Sequence, residues 1–242
     1  MRIVTWNLKH DSGSAMWPRL QTAMGADIVL LQESRRPPNS PAQLVWESVP
    51  HHDRGSAVLV SQGAIRSIPI AGYEGWVVGG EWLDGGHHAH ERRLLVFSIH
   101  APTSNPSRPR RPYVEEVVSI LAVIRAQLPP QSDLIVGGDF NFLSLGHRKV
   151  DEQLETTAAE QEALIHFGDL GLVSCWEATH PRRSLAQTLR WSGDKTPEKS
   201  TPYHCDGIFV PASWQPGMIC EVLTSACFDV SDHYPVAVWI SR

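Results

Sequence analysis

The sequence predicts an α/β fold in which mixed β-sheets form a sandwich with helices on the outside. Strand-like runs rich in apolar and β-branched residues recur along the whole chain. Helical patterns are fewer, and they do not alternate with the strands as a simple doubly wound sheet would require. The chain has 242 residues, of which 42% are hydrophobic and 19% are charged, so a sizeable core can form.

The predicted strands are short runs bounded by turn residues. In chain order they are RIVTWNL (2–8), DIVLLQE (27–33), SAVLVS (56–61), WVVGGEWL (76–83), RLLVFSIH (93–100), DLIVGGDF (133–140), CDGIFV (205–210) and PVAVWI (235–240). Helices are predicted at about 17–24, 113–127 and 151–167. The second helix has an apolar face formed by Val114, Val117, Val118, Leu121 and Ile124.

Two loop segments interrupt these elements without dividing the chain. APTSNPSRPRRP (101–112) combines prolines with arginines, and SGDKTPEKSTP (192–202) carries lysines. Both follow strands, where α/β proteins place their binding loops. No repeat or low-complexity linker is present, so residues 1–242 are expected to form a single domain.

Several features bear on where the protein works. No stretch reaches the roughly 20 apolar residues of a membrane-spanning helix, and MRIVTWNLKH has no leader pattern, so we expect a cytoplasmic protein without membrane insertion. The cysteines show neither CxxC nor zinc spacing, which favours buried thiols over disulfides. They are Cys175, Cys205, Cys220 and Cys227. The net charge is −5, so any basic surface for nucleic acid must be local.

Polar side chains stand at the ends of several predicted strands. The segment LIVGGDFNFL (134–143) shows the pattern most clearly, because an apolar strand leads through two glycines directly to Asp139 and Asn141. A carboxylate placed there loses hydration unless something pairs with it, although Asp and Asn are also ordinary turn residues. The other such residues are Asn7, Glu33, His100, Asp206, Asp232 and His233.

This set of side chains suits metal-assisted phosphoryl chemistry. Hydrolysis of a phosphodiester places negative charge on the phosphoryl and leaving oxygens, and a hard cation such as Mg²⁺ stabilises that charge. Mg²⁺ favours one or two carboxylates and retains several waters. The attacking water must lose a proton to an Asp or His, and neutral amides or imidazolium groups can hold the phosphate.

The sequence resembles the endonuclease/exonuclease/phosphatase superfamily, and among its members deoxyribonuclease I. The resemblance runs through TWNL, LLQE, SIHAP, GGDFN, HCDGIFV and SDHYPV in that order, which spans nearly the whole chain. It implies a four-layer α/β sandwich, with two mixed β-sheets packed face to face and helices on both outer faces. It also implies a metal-dependent phosphoric ester hydrolase that uses Mg²⁺ or Mn²⁺.

The resemblance assigns expected roles residue by residue. Asn7 and Glu33 resemble the metal-binding end of the family's site, with Glu33 the main ligand, and Asp232 resembles the Asp that contacts the metal directly or through water. His233 resembles the catalytic imidazole, and Asp206 the carboxylate that orients it.

The resemblance implies three further roles. Asp139 resembles the residue that positions or deprotonates the attacking water, and Asn141 the residue that holds a phosphate oxygen. His100 resembles the second imidazole, which contacts phosphate or protonates the leaving group.

The sequence departs from deoxyribonuclease I in two respects. In that enzyme the second histidine has a carboxylate partner on an earlier strand, and here Glu74 and Glu81 are both candidates. The arginine- and tyrosine-bearing loops that grip DNA have no clear counterpart. Candidate substrate-binding residues are instead the cluster in the first loop and a pair after a later strand. They are Arg108, Arg110, Arg111, Arg190 and Trp191.

Three functions remain open at this stage. The first is a monomeric nuclease acting on DNA or RNA. The second is hydrolysis of a small phosphoester such as a phospholipid headgroup, nucleotide or sugar phosphate, which the negative net charge favours. The third is an inactive binding module, which would leave the complete catalytic set unexplained. Two histidine-rich stretches, GGHHAHERR (85–93) and HHDR (51–54), could bind a transition metal but are more typical of solvated turns.

Overall fold

The computed structural model describes residues 1–9, 25–37, 43–83, 92–102, 112–142, 157–181, 183–191, 201–224 and 231–241. Each strand predicted from the sequence is present. The strands are β1 (Arg2–Asn7), β2 (Ile28–Ser34), β3 (Leu44–Ser48), β4 (Gly55–Val60), β5 (Ala64–Ile68), β6 (Val77–Leu83), β7 (Arg93–His100), β8 (Ser132–Asp139), β9 (Leu172–Ser174), β10 (Leu189–Trp191), β11 (Thr201–Tyr203), β12 (Asp206–Pro211), β13 (Met218–Val222) and β14 (Val236–Ile240).

The strands form two mixed six-stranded sheets and a two-stranded ribbon of β10 and β11. The first sheet has the order β13-β14-β1-β2-β4-β3, and the second has the order β5-β6-β7-β8-β12-β9. In the first sheet β1 and β2 are parallel, and in the second sheet β7 and β8 are parallel. The predicted α/β fold with two mixed β-sheets is therefore confirmed.

The two sheets pack face to face across a shared apolar core. Buried residues of both inner faces meet there, including Ile3 and Ile28 from the first sheet and Val96, Ile135 and Ile208 from the second. Alternate residues of the first sheet, such as Val4 and Trp6, are equally buried on its outer face. Consecutive residues of these strands are therefore apolar, as expected for a sheet that is buried on both faces.

The two long helices cover the outer face of the second sheet. Helix α1 (Tyr113–Gln127) matches its predicted range, and helix α2 (Ala158–Asp169) packs with it on the same apolar cluster. Helix α2 begins at Ala158 because Thr157 and Glu160 form a capping box. Residues 151–156 of the helix predicted at 151–167 lie outside the described residues. A short helix, α3 (Cys175–Thr179), follows β9. The predicted helix at 17–24 also lies outside the described residues.

Other expectations can be compared directly with the structure. Cys175, Cys205 and Cys220 are free and buried, as predicted, whereas Cys227 lies outside the described residues. Burial raises the pKa of the Cys220 thiol to about 12. No helix within the described ranges is long and apolar enough to cross a membrane.

Candidate active site

The polar strand ends predicted from the sequence meet at one edge of the sandwich. In the first sheet Asn7 ends β1 and lies opposite Gln32, which precedes Glu33 in the parallel strand β2. In the second sheet His100 ends β7 opposite Asp139 at the end of β8, and Asp206 begins β12 opposite Asp139. Parallel neighbours end at the same edge, so both sheets deliver their polar residues to one place.

His233 and Asp206 form a buried imidazole–carboxylate pair. Nδ1 of His233 lies 2.9 Å from Oδ2 and 3.1 Å from Oδ1 of Asp206. An ionised carboxylate only accepts hydrogen bonds, so Nδ1 carries a proton and donates a hydrogen bond to Asp206. This arrangement directs Nε2 toward two other carboxylates, 3.8 Å from Oδ2 of Asp139 and 4.0 Å from Oδ1 of Asp232.

Several groups fix this pair in place. The Cys205 thiol donates to Oδ2 of Asp206 at 3.3 Å, and the Asp206 backbone N–H donates to the Thr188 hydroxyl at 3.1 Å. The backbone of His233 donates to the Ser231 hydroxyl and accepts from the Trp6 indole N–H. Because these bonds hold the backbone of His233 and the carboxylate that pairs with its ring, the direction of Nε2 toward the site is fixed.

Charge around His233 favours the imidazolium form. Burial alone lowers the pKa of this ring, but the carboxylates of Asp206, Asp139 and Asp232 outweigh burial and raise it to about 10. The ring therefore carries a positive charge at neutral pH in the metal-free protein.

Asp139 joins the two sheets at the centre of the site. Asn7 in the first sheet donates through Nδ2 to Oδ2 of Asp139 at 2.8 Å and to Oε1 of Glu33 at 3.3 Å. The Lys9 backbone N–H donates to Oδ1 of Asn7 at 2.9 Å, which fixes the direction of the amide. Asn7 therefore presents its donor, rather than its oxygen, to the two carboxylates.

The GGDFN segment places its residues on opposite sides of the strand end. Gly138 has φ 153°, and a Cβ there would lie 1.8 Å from the Ile99 carbonyl oxygen, so only glycine permits β8 to approach β7 this closely. Phe140 is fully buried, with its ring edge-on to Phe167 and Phe209. Asn141 has φ 55°, donates its backbone N–H to Oδ1 of Asp139 and donates Nδ2 to the Ala101 carbonyl. Phe140 thus points into the core, while Asp139 and Asn141 are hydrogen-bonded to each other at the strand end.

A β-bulge presents Glu33. The register between β2 and β4 shifts between Leu31 and Ser34, and Glu33 takes φ 50°, the left-handed region. Its Oε1 lies 3.6 Å from Nε2 of His100, and its Oε2 lies 3.6 Å from the guanidinium of Arg54. The second imidazole and the expected metal ligand are therefore neighbours.

The carboxylates of Glu33 and Asp232 fit a hard cation. Oδ1 of Asp232 is buried and has no hydrogen-bond partner among the described residues, and Oδ2 forms an ion pair with Lys9. Glu33 likewise has a cation, Arg54, at its second oxygen. Carboxylate oxygens are the ligands that Mg²⁺ and Mn²⁺ prefer.

A second group of ligand atoms lies deeper in the site. Asp139, Cys205, Asp206 and His233 each bring one ligand atom within 4.8 Å of the others. Both oxygens of Asp206 already contact His233, and one also accepts from the Cys205 thiol. A hard cation avoids a protonated thiol, so this group is better explained as the hydrogen-bonded support of His233.

The structure excludes one proposed partner of His100. Glu81 pairs opposite Leu95, far from His100 along β7, and accepts hydrogen bonds from Arg66 and Arg93. The sequence shows that Glu81 lies on an earlier strand. It does not show the register between β6 and β7, which determines whether Glu81 can reach His100. Glu74 is exposed and accepts from the Gly72 backbone N–H at 2.9 Å. Among the described residues, carboxylate oxygens of Glu33 and Asp139 lie 3.6 and 4.0 Å from Nε2 of His100.

Sequence reasoning missed three residues that border the site. The Trp76 ring lies 5.2 Å from the His100 ring. Lys9 and Arg54 contact the two carboxylates that are expected to bind metal. A polar residue after a strand was a usable signal for Lys9, whereas the contacts of Trp76 and Arg54 depend on loop packing.

The predicted substrate-binding residues are only partly described. Arg190 donates its backbone N–H to the Asp232 carbonyl, and its guanidinium lies 5.7 Å from the centre of the Tyr234 ring. Arg190 is therefore beside the site. The side chain of Trp191 is not described, and Arg108, Arg110 and Arg111 lie outside the described residues, so their roles stay predictions.

A two-sheet α/β sandwich with carboxylates, amides and two imidazoles at one edge defines a metal-dependent phosphoric ester hydrolase. The chain belongs to the Endonuclease/Exonuclease/phosphatase family, whose family model matches residues 4–233. This finding confirms the resemblance seen in the sequence. A comparison with curated proteins found no match.

Solved structures with the same fold cover endonucleases, exonucleases and phosphatases. An AP endonuclease from Archaeoglobus fulgidus matches with a TM-score of 0.74 at 12% identity, over 100% of both chains. The 3'-5' exonuclease NExo from Neisseria meningitidis gives 0.72 at 18% identity, again over 100% of both chains. A second structure, of the 3' phosphatase NExo from Neisseria bound to product DNA hairpin, matches with a TM-score of 0.72 at 16% identity over 100% of both chains. These likenesses establish the fold.

Proposed function

We propose that the protein is a phosphodiesterase that depends on Mg²⁺ or Mn²⁺ and hydrolyses DNA or RNA by attack of an activated water. The observation that carries this proposal is the His233–Asp206 pair, with Nε2 of His233 facing Asp139 and Asp232 at 3.8 and 4.0 Å. These separations are longer than a direct hydrogen bond, so the N–H at Nε2 can donate to a phosphate oxygen or a water.

In this proposal Glu33 and Asp232 hold the metal, directly or through water. Asn7 supports Glu33 from the side, because its Nδ2 donates to Glu33 and to Asp139. When bound, the metal would neutralise charge that develops on the phosphoryl and leaving oxygens.

The remaining residues act on protons and phosphate oxygens. Asp139 positions the attacking water and accepts its proton, and its carboxylate is held for that task by Asn7 and the Asn141 backbone. His233, protonated and oriented by Asp206, donates to a phosphate oxygen. His100 contacts the phosphate or protonates the leaving oxygen, and the second N–H of the Asn141 amide can donate to the phosphate.

Support for nucleic acid as substrate comes from the relatives of the fold. The matched structures include an AP endonuclease and NExo bound to product DNA hairpin. Their identity to this chain is low, so the substrate remains part of the proposal.

A second candidate is hydrolysis of a small phosphoester. Its motivation is the net charge of −5, together with the ion pair between Lys9 and Asp232 at the site. A site whose cations are engaged by its own carboxylates offers less attraction to a long polyanion.

The test is a substrate panel with Mg²⁺ or Mn²⁺ and an EDTA control. It contains plasmid, single-stranded DNA, RNA, an oligonucleotide with a 3' phosphate, bis-p-nitrophenyl phosphate and a phospholipid. We expect metal-dependent cleavage of a nucleic acid that weakens as salt rises. Turnover of small esters alone, with little response to salt, would support the second candidate, and binding without turnover of any substrate would support a binding module.

A further inference from the structure

Arg54 lies beside the expected metal site without being one of its ligands. It directly precedes β4, whose first residue Gly55 pairs with Ser34 at the end of the bulge that presents Glu33. Its Nη1 is 3.6 Å from Oε2 of Glu33, and its side chain is one-third exposed, at 33%. The guanidinium therefore reaches the site from the solvent side.

The position of Arg54 is held by the surrounding loops. The Val49 backbone N–H donates to the Arg54 carbonyl at 2.9 Å, which closes the turn between β3 and β4. Gly55 packs so tightly against Glu47 that a Cβ would lie 1.9 Å from its carbonyl oxygen. An arginine that begins at such a fixed backbone loses less freedom on binding an anion than one on a loose loop.

The two oxygens of Glu33 face different neighbours. Oε1 lies near Nδ2 of Asn7 and Nε2 of His100, whereas Oε2 faces Arg54. The distance to Arg54 exceeds the 2.7–3.2 Å of a direct N–H···O hydrogen bond. This contact is thus an attraction between charges and not a short bidentate pair.

A cation bound at Glu33 would lie close to the Arg54 guanidinium, because both contact the same carboxylate. A divalent ion and a guanidinium that share one carboxylate repel each other. An anion placed between them reverses this, because its oxygens can contact the metal and the guanidinium together. A phosphate group has the charge and the planar pairs of oxygens that an arginine binds best.

We infer that Arg54 binds a phosphate group of the substrate and thereby acts as a substrate-positioning residue of this site. The inference rests on the proposed function and adds to it a specific contact. The competing explanation is that Arg54 only balances the charge of Glu33 in the metal-free protein. In that case its removal would tighten metal binding and leave substrate binding unchanged.

The variants are Arg54→Ala and Arg54→Lys, with Arg92→Ala as the matched control. Arg92 pairs with Asp133 at 2.9 Å, at the end of β7 opposite to His100. Arg54→Ala and Arg92→Ala each remove one positive charge, so an effect of total charge would be equal in both.

Binding is measured apart from turnover. In a His233→Ala background with Mg²⁺, the anisotropy of a labelled single-stranded oligonucleotide reports the Kd at several salt concentrations. We expect Arg54→Ala to raise Kd about 10- to 100-fold, since a charge-assisted hydrogen bond is lost. The slope of log K against log salt should fall by about 0.7, which corresponds to one phosphate contact. Arg54→Lys should recover part of the affinity, and Arg92→Ala should change neither quantity.

Turnover then separates the two levels of the proposal. In the protein with His233 intact, Arg54→Ala should raise KM for an oligonucleotide by a similar factor. Equal Kd and salt slope for the Arg54→Ala and Arg92→Ala variants, with only the Mg²⁺ requirement changed, would overturn the inference while the proposed function stands. A parent protein that neither cleaves nor binds any nucleic acid, nor hydrolyses bis-p-nitrophenyl phosphate, would overturn both.

Discussion

At the scale of single residues, the pairing of His233 with Asp206 makes the most specific claim about chemistry. Asp206 is fully buried and contacts Nδ1 of His233 with both oxygens, so it determines the tautomer and direction of the ring. His233→Ala should lower turnover on the order of 10²–10⁴-fold, as expected for a lost acid–base group. Asp206→Asn should also be severe, because an amide no longer fixes the tautomer.

The double mutant of His233 and Asp206 tests whether they act as one unit. We expect it to be little worse than the more damaging single variant, because residues of one catalytic unit are strongly non-additive. The measurement is kcat/KM of all four proteins, with melting curves as a control for folding. Multiplicative losses with intact metal binding would show that the two residues work separately.

The same pair should make stability depend on pH. The folded-state pKa of His233, about 10, lies above its usual value of 6.5. The folded state therefore binds the proton more tightly, and this contribution is fully present below about pH 6.5 and is lost as the pH rises through 10. In EDTA, urea unfolding of the parent and of His233→Gln should differ most near pH 6 and least above pH 10. A difference that grows with pH would contradict the assignment.

At the scale of elements, the bulge in β2 determines where the Glu33 carboxylate lies. It turns the carboxylate out of the regular strand and toward Asn7 and His100. Glu33→Gln keeps the size but removes the charge, so the Mg²⁺ concentration for half-maximal activity should rise at least about 10-fold. The melting temperature should change little. An unaltered metal requirement would mean that Glu33 is structural.

The close approach of β7 and β8 depends on Gly138. A Cβ there would lie 1.8 Å from the Ile99 carbonyl oxygen, at a φ of 153°. Gly138→Ala should therefore lower the free energy of unfolding by about 3 kcal/mol or more, because backbone atoms must move. The matched control is Gly168→Ala in α2, where a Cβ meets nothing within 4 Å. Urea unfolding should show the control within about 1 kcal/mol of the parent, on the more stable side.

The sequence predicts much of this arrangement because strand ends are visible in it. Runs such as LIVGG mark a buried strand, and the polar residue that follows must stand at the edge of a sheet. Helix α1 could be predicted over its full range because its apolar residues recur with helical spacing. Short edge strands such as β3 and β13, in which few residues are buried, lack that signal.

Contacts across loops and registers could not be predicted in the same way. Glu81 looked suitable as a partner of His100, but strand register places it among Arg66 and Arg93. The bulge at Glu33 depends on a register shift that leaves no mark in the local sequence. Arg54 meets Glu33 only because the end of β2 pairs with the start of β4.

At the scale of the whole molecule, the two sheets depend on each other for burial and for the site. The hydrogen bond from Asn7 to Asp139 crosses between them, and so does the one from Gln32 to Ser98, at 2.9 Å. The central apolar cluster contains Ile28 from the first sheet and Ile135 from the second. Neither sheet can keep its inner face from water when the other unfolds.

We therefore predict that residues 1–242 unfold as one cooperative unit. Far-UV circular dichroism and tryptophan fluorescence should follow the same urea transition. Ile28→Val and Ile135→Val, one in each sheet, should each lower the free energy of unfolding by about 0.5–1.5 kcal/mol and shift that single midpoint without changing its slope. Since both variants loosen one shared core, both probes should report each shift equally. Two separate transitions, each moved by only one of the variants, would show instead that the two sheets are independent folding units.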